Sequence, residues 1–283
     1  MKQLLMPTDF SENAWNAFFT AIKLYGDFEC TFHLLHAYEP KIQNISGFKS
    51  SVRTGYSQQS LAEHSKTELA KILSYIKRNH HNTKHHFQTH SIQGELVETI
   101  KLQISKLDID GIIMGTKGAS GAKEIFMGSN TVRVLKNIKN CMLLAVPNSF
   151  EFKSLETVVF PTEYAHFFPK SILEPLIELM AHWKSEIKIF HVAQEFVLDD
   201  IQRSNKQILK QRFSEIPFSF YKEAIKTTVS KAIRDFSKEQ GADLIVLTNY
   251  KHTFFEQLTQ EPIVKKVSFK SEIPLLVLPN FEG

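Results

Sequence analysis

Gly115-Thr116-Lys117-Gly118-Ala119-Ser120-Gly121-Ala122-Lys123-Glu124-Ile125-Phe126-Met127-Gly128-Ser129-Asn130-Thr131 is the stretch that organises the chain. The apolar run Ile112-Ile113-Met114 leads into it, and Val132, Leu135 and Ile138 lead out at helical spacing. The order is therefore buried strand, glycine-rich loop, helix. That order suits a phosphate group. Glycines let the backbone approach an anion closely and take positive φ. The following helix start offers unpaired N–H groups and the positive end of its dipole. Ser129 and Thr131 add hydroxyl donors, and Ser129 is placed to cap the helix. The spacing is not that of a P-loop, since no Gly-Lys-Ser/Thr closes it, and it is not Gly-x-Gly-x-x-Gly.

Upstream, Leu4-Leu5-Met6-Pro7-Thr8-Asp9 reads as a strand ending in a turn, and Ser11-Glu12-Asn13 starts a helix that ends near Gly26. Thr31 to Tyr38 is a second strand. A Ser-, Gly- and Lys-rich loop runs from Glu39 to about Tyr56, followed by a charged helix over 57–78. A third strand covers 84–91, a helix 94–106, a fourth strand Asp110 to Met114, and a fifth Cys141 to Val146. Strands that alternate with helices and are continuously apolar predict a parallel sheet covered on both faces.

The pattern then repeats. Val158-Val159-Phe160-Pro161-Thr162-Glu163 echoes Leu4 to Asp9, Ile187 to Val192 echoes Phe32 to Ala37, and Ile273 to Asn280 echoes Cys141 to Asn148. Gly241 to Leu247 echoes the fourth strand, which sets Asn249 in the place of Gly115. The second copy is shorter by 22 residues, a loss assigned mainly to the loop after the second strand. The sequence thus divides into domains at 1–149 and 154–283.

The spacing Gly115-x2-Gly118-x9-Gly128-Ser129 resembles the nucleotide-binding loop of the universal stress protein family, and the repeat makes the whole chain resemble a tandem member. The resemblance implies two α/β domains of flavodoxin or Rossmann-like type, each a five-stranded parallel sheet in the order 3-2-1-4-5 with helices on both faces. Ligands of such sheets bind where the strand order reverses, here between strands 1 and 4. The expected ligand is ATP, or ADP or AMP, with Mg²⁺ as an accompanying ion. Pro7 and Asp9 would lie by the adenine or ribose, Ala37 would meet adenine through its backbone, and Met114 would pack near the ribose. Gly115, Lys117 and Gly118 would hold the phosphates, and Gly128, Ser129, Asn130 and Thr131 would present N–H groups and hydroxyls to them. The second domain has none of the signature glycines, and Glu163 stands for Asp9. It is expected not to bind ATP but to pack on the first as a built-in dimer partner, with Cys141–Val146 and Leu275–Leu278 as the paired edges. Pairing of the whole chain into a homodimer stays open.

Composition sets the other bounds. Net charge is only +4 with both signs interspersed, unlike a nucleic-acid binder. No apolar run nears a membrane span, and the N-terminus lacks a signal-peptide core. Two distant cysteines, Cys30 and Cys141, fit a reduced cytoplasmic chain. The run from His80 to His90 places His86 and His90 on one strand side and His85 on the other, with no Cys or paired carboxylate to complete a metal site. It reads as an edge-strand cluster, while His33, His36 and His191 read as packed strand residues. No catalytic residue is assigned. The resemblance implies at most slow ATP hydrolysis, and the alternatives are a true ATPase or nucleotidyl-transfer activity using Lys117 with a carboxylate such as Glu39, and a scaffold with a vestigial loop.

Overall fold

The structure is a computed structural model that describes residues 1–39, 58–116, 127–193, 197–224, 228–248 and 272–279. The first half runs β1 (Lys2–Pro7), α1 (Glu12–Leu24), β2 (Cys30–Tyr38), α2 (Gln58–Asn79), β3 (His85–Gln93), α3 (Leu96–Leu107), β4 (Gly111–Gly115), α4 (Ser129–Asn137) and β5 (Met142–Val146). The second runs β6 (Thr157–Pro161), α5 (Lys170–Trp183), β7 (Glu186–Ala193), α6 (Asp200–Arg212), β8 (Phe218–Ala224), α7 (Val229–Glu239), β9 (Leu244–Thr248) and β10 (Leu275–Leu278).

The ten strands among the described residues join one sheet in the order β3-β2-β1-β4-β5-β10-β9-β6-β7-β8. Each half is a parallel 3-2-1-4-5 sheet, so the fold expected from the resemblance is present twice. The seam between the halves is the one antiparallel pair among the described residues, with Leu275 opposite Ala145, Leu276 opposite Leu144 and Val277 opposite Leu143. These are the two edges the sequence nominated. Pairing them hides two apolar strand edges that would otherwise recruit other chains.

Both faces of the sheet are covered, and each core crosses the seam. One core takes Phe18 and Ala21 of α1, Leu69 and Ile72 of α2, Leu173 and Leu176 of α5 and Leu209 of α6. The other takes Ile100 of α3, Val134 and Leu135 of α4 and Ile233 of α7. The halves are further tied by Trp183 Nε1–H, which donates to the Leu24 carbonyl at 3.0 Å, and by the Lys2–Glu178 ion pair at 2.6 Å.

The repeat is preserved in detail. Asp110 Oδ2 accepts the Gln3 N–H at 2.6 Å, and Asp243 Oδ2 accepts the Thr157 N–H at 2.9 Å. Thr8 N–H bonds the Leu35 carbonyl as Thr162 N–H bonds that of Phe190. Phe10 and Tyr164, each two residues further on, both sit in the left-handed region at φ 63° and 58°. The register corrects one alignment. Leu4 pairs with Gly111 and Val158 with Leu244, so Thr248, not Asn249, stands where Gly115 stands. The shorter second copy also has two sources. Only 194–199 separate β7 from α6, against 39–57 between β2 and α2, and the helix itself falls from 22 residues to 13.

Among the described residues, no helix is long and apolar enough to cross a membrane. No group of three His, Cys, Asp or Glu among them is set to hold a metal ion.

Candidate functional site

The crevice lies at the carboxyl ends of β1 and β4, where chain direction sends α1 to one face and α4 to the other. Pro7 closes β1, buried and opposite Leu35. Asp9 follows, and its Oδ1 accepts both the N–H of Ser11 at 3.1 Å and the hydroxyl of Ser11 at 2.6 Å. Ser11 in turn caps α1 by accepting the Ala14 N–H. Asp9 therefore orders the start of α1. Ala37 is half-buried near the end of β2, opposite Ile92. Met114 is buried in the core shared with α3 and α4.

Gly115 has a packing reason of its own. A Cβ there would stand 2.7 Å from Asn13 Cγ, 2.8 Å from its Oδ1 and 2.9 Å from its backbone oxygen. Asn13 is buried in the first turn of α1 and donates Nδ2–H to the Val146 carbonyl at 3.0 Å. The glycine thus lets α1 cross the end of β4 and reach β5. In the second half α5 starts only at Lys170, after a longer connection, and β9 carries Thr248 at that place.

Lys117 and Gly118 lie outside the described residues, as do 119–126 and, in the second half, 249–271. The ends of the glycine-rich segment are described, and they are fastened together. Gly128 N–H bonds the Thr116 carbonyl, and Thr116 N–H bonds the Val146 carbonyl at 2.9 Å. Thr131, 2% exposed, donates its hydroxyl to the Gly115 carbonyl at 2.9 Å. Its Oγ–H is committed to closing the segment.

The cap of α4 differs from the sequence expectation. Gly128, at φ −63° and ψ 157°, is the N-cap and makes no side-chain cap bond, while Ser129 is the first helical residue. A hydroxyl at the first helical position is past the place from which it could reach back to the second or third N–H. The first-turn N–H groups of Ser129, Asn130 and Thr131 have no acceptor within the helix by its geometry. The first turn carries no acidic residue, and Ser129 and Asn130 are exposed. One turn on, Arg133 bonds Glu95, the N-cap of α3, at 2.6 Å. Burial pushes the Glu95 carboxyl up, but the N–H groups of Val97 and Glu98 and the Arg133 guanidinium outweigh it and hold it below the ordinary range. Among the described residues no side chain caps this helix start, which lies beside a polar turn, an arrangement suited to an anion.

In the second half α6 is bonded to the turn after β6, as the His64 ring of α2 stands 6.2 Å from that of Phe10 in the first. On α6, Gln202 Nε2–H donates to the Glu163 carbonyl at 3.0 Å and Asn205 Nδ2–H to the Tyr164 carbonyl at 2.8 Å. Lys206 Nζ stands 5.5 Å from the centre of the Tyr164 ring and 5.0 Å from that of Phe220. Tyr164 is 2% exposed, and burial pushes the Glu163 carboxyl up. In the first half the equivalent aromatic, Phe10, is half-buried against His36, with ring centres 4.4 Å apart.

The sequence profile of the Universal stress protein family matches residues 1–147. The chain belongs to the universal stress protein family. A universal stress protein of Methanocaldococcus jannaschii is 27% identical over 145 residues, spanning 51% of this chain and 81% of that one. The solved structure of a universal stress protein from Archaeoglobus fulgidus superposes with a TM-score of 0.67 at 19% identity, covering 99% of this chain and 97% of that one. A Pseudomonas aeruginosa protein assigned to the same family gives 0.63 at 10% identity, with 99% and 93% covered. At these identities the two structures share the fold, and the sharing extends over both halves.

Asn13, Thr116 and Asn205 were not singled out in the sequence. Asn13 carried a signal, because a polar residue in the first turn of an amphipathic helix, beside alanines, fits poorly unless it has a buried acceptor.

Proposed function

We propose that this universal stress protein binds one adenine nucleotide, with ATP the leading candidate and Mg²⁺ its accompanying ion, in the crevice of its N-terminal half. The observation that carries the reading is the start of α4. Among the described residues it lacks a side-chain cap and an acidic first turn, and it closes a glycine-rich segment whose spacing is that of the family's nucleotide loop. In this reading the N–H groups of Ser129 and Asn130, the Ser129 hydroxyl and the loop residues Gly115, Lys117, Gly118 and Gly128 face the phosphates. Asp9, Pro7, the Ala37 backbone and Met114 border the base and ribose. Thr131 contributes its N–H and holds the loop's ends. The second half, which has none of the signature glycines, takes no nucleotide and serves as the fixed partner. Binding would bias the chain between states or partners in a stress response. No residue of the motif is assigned as a general base, and turnover is not part of the proposal.

Ser129→Glu tests the reading. A carboxylate at the first helical position favours the helix dipole, so the ligand-free fold keeps its stability, while the same charge repels phosphate. Nucleotide released from fresh protein should approach one per chain, and saturating ATP should raise Tm, since a ligand of the native state alone must stabilise it. Both signals should vanish in Ser129→Glu. An unshifted Tm for the natural chain in millimolar ATP would overturn the reading in favour of a scaffold whose loop is a turn. That second reading has its own support in Gly115 and Thr131, which both have structural duties.

A further inference from the structure

The N-terminal half holds eight of the chain's twelve histidines, and five of them are engaged along one edge. Among the described residues β3 is the outermost strand of its half and pairs only with β2. Three imidazole contacts fasten this edge. On one face His33 of β2 meets His90 of β3, Nδ1 to Nε2 at 3.0 Å, and its Nε2 meets Gln3 Oε1 of β1 at 2.8 Å. On the other face His80, just past α2, meets His85 of β3, Nε2 to Nδ1 at 2.8 Å, and His85 Nε2 meets the Tyr25 carbonyl at 3.0 Å. Also on that face, His36 Nδ1 of β2 meets the hydroxyl of Ser65 on α2 at 2.9 Å, and Ser65 accepts the hydroxyl of Ser91 on β3 at 2.7 Å.

The hydrogen-bond roles in these contacts follow from their partners. A carbonyl or amide oxygen can only accept, so His33 Nε2 and His85 Nε2 carry protons. His33 Nδ1 and His85 Nδ1 are then the acceptors for the N–H groups of His90 and His80. Between Ser65 and His36 Nδ1 either group can supply the hydrogen, since a hydroxyl both donates and accepts. In the two His–His contacts the nitrogen that a second proton would enter is already in use as an acceptor. Within each imidazole pair one added proton can be shared if the partner takes its other tautomer, but a second proton sets two donors and two positive charges against each other, at a site where His33 is 2% exposed.

We propose that the β3 edge of the N-terminal half is an acid-released strand, locked by neutral imidazoles at His33, His36 and His85 and freed when they take up protons.

The surrounding charges agree. Burial, then the neighbouring His90, brings His33 down to about 4. Burial lowers His90 with Lys106 of α3 adding to it, and lowers His80 with His81 adding to it. Burial lowers His85, opposed by the Tyr25 carbonyl and reinforced by His80, His86 and Lys84. Burial and His64 lower His36, while Asp9 on the β1 turn opposes them. Free imidazole takes its proton near pH 6.5. The released strand therefore binds protons that the docked strand refuses. Docking is at full strength above about pH 6.5 and weakens as pH falls toward 4. His33 alone implies an opening constant raised on the order of 50- to 100-fold at pH 4.5.

The second half supplies the control within the same molecule. Its outer strand β8 presents Tyr221 where β3 presents His90, and β7 presents Lys188, bonded to Gln240 at 2.9 Å, where β2 presents His33. His191, in the place of His36, donates Nδ1–H to the Thr162 carbonyl at 2.9 Å, a bond that a second proton leaves intact while burial and Lys206 still lower its proton affinity, so this edge has one such imidazole against five among the described residues.

Amide hydrogen exchange of the full-length chain, corrected for intrinsic rates, decides the matter at pH 7, 5.5 and 4.5. Residues 85–93 should lose protection by at least tenfold across this range while 218–224 keep theirs. His33→Gln can still accept and donate but does not titrate, and it should shrink the loss. Equal loss at both edges, or retained protection of 85–93 at pH 4.5, overturns the proposal. If His33→Gln does not fold, the comparison of the two edges in the natural chain stands as the deciding measurement.

Discussion

Gly115→Ala asks whether this glycine serves a phosphate or a helix. The added methyl would sit 2.7 Å from Asn13 Cγ and 2.9 Å from the Asn13 backbone oxygen. The side chain could swing, but only by giving up its 3.0 Å bond to the Val146 carbonyl, and the backbone oxygen moves only with α1. Overpacking of this kind costs about 1–3 kcal/mol. A displaced, buried amide costs about 1–3 kcal/mol more. The sum, about 2–6 kcal/mol, corresponds to a fall in Tm of roughly 3–10 °C for a chain of this size. The fall should appear without any nucleotide, in a thermal melt followed by circular dichroism. In an Asn13→Ala background, which removes the two nearest contacts, the same substitution should cost at least about 1 kcal/mol less. A Gly115→Ala protein that melts like the natural chain but no longer responds to ATP would refute the packing argument. It would then leave close approach of a phosphate as the reason for the glycine.

Two further substitutions probe the frame around the site. Thr131→Val keeps the shape but strips the hydroxyl from the buried Gly115 carbonyl, and urea unfolding should show a loss of about 1–3 kcal/mol. Trp183→Phe removes the N–H that reaches Leu24 across the seam, and a loss of about 0.5–1.5 kcal/mol should follow, with both halves still melting together.

The fold was legible because its evidence was periodic. Apolar runs such as Leu4-Leu5-Met6 and Ile112-Ile113-Met114 are buried on both faces, and the repeat put Pro161 and Glu163 on the places of Pro7 and Asp9. The edges that meet at the seam were legible for the same reason, since β5 and β10 are apolar throughout and close their halves. Less could be read where a residue's role depends on a neighbour far away in the chain. Nothing near Gly115 in sequence announces Asn13, and nothing near Tyr164 announces Asn205 on α6. The alignment of Gly115 with Asn249 failed by one place although Asp110 and Asp243, each bonded to the start of its first strand and each five residues before Gly115 and Thr248, mark the register in the sequence itself. Capping failed for a different reason. Gly-Ser at a helix start fits a serine cap or a glycine cap equally well, and the backbone of Gly128 decides it.

The antiparallel seam also bears on how the chain is made. β5 ends at Val146, but its partner strand ends at Leu278, so on the ribosome the first half waits for its mate until almost all of the second has emerged. At about 5–20 residues per second that wait is on the order of ten seconds. Throughout it, the apolar edge Met142–Val146 is bare to every other nascent copy on the same message. The fusion that secures the pair in the finished protein therefore makes biosynthesis its most exposed interval, and slower translation of the second half would lengthen it.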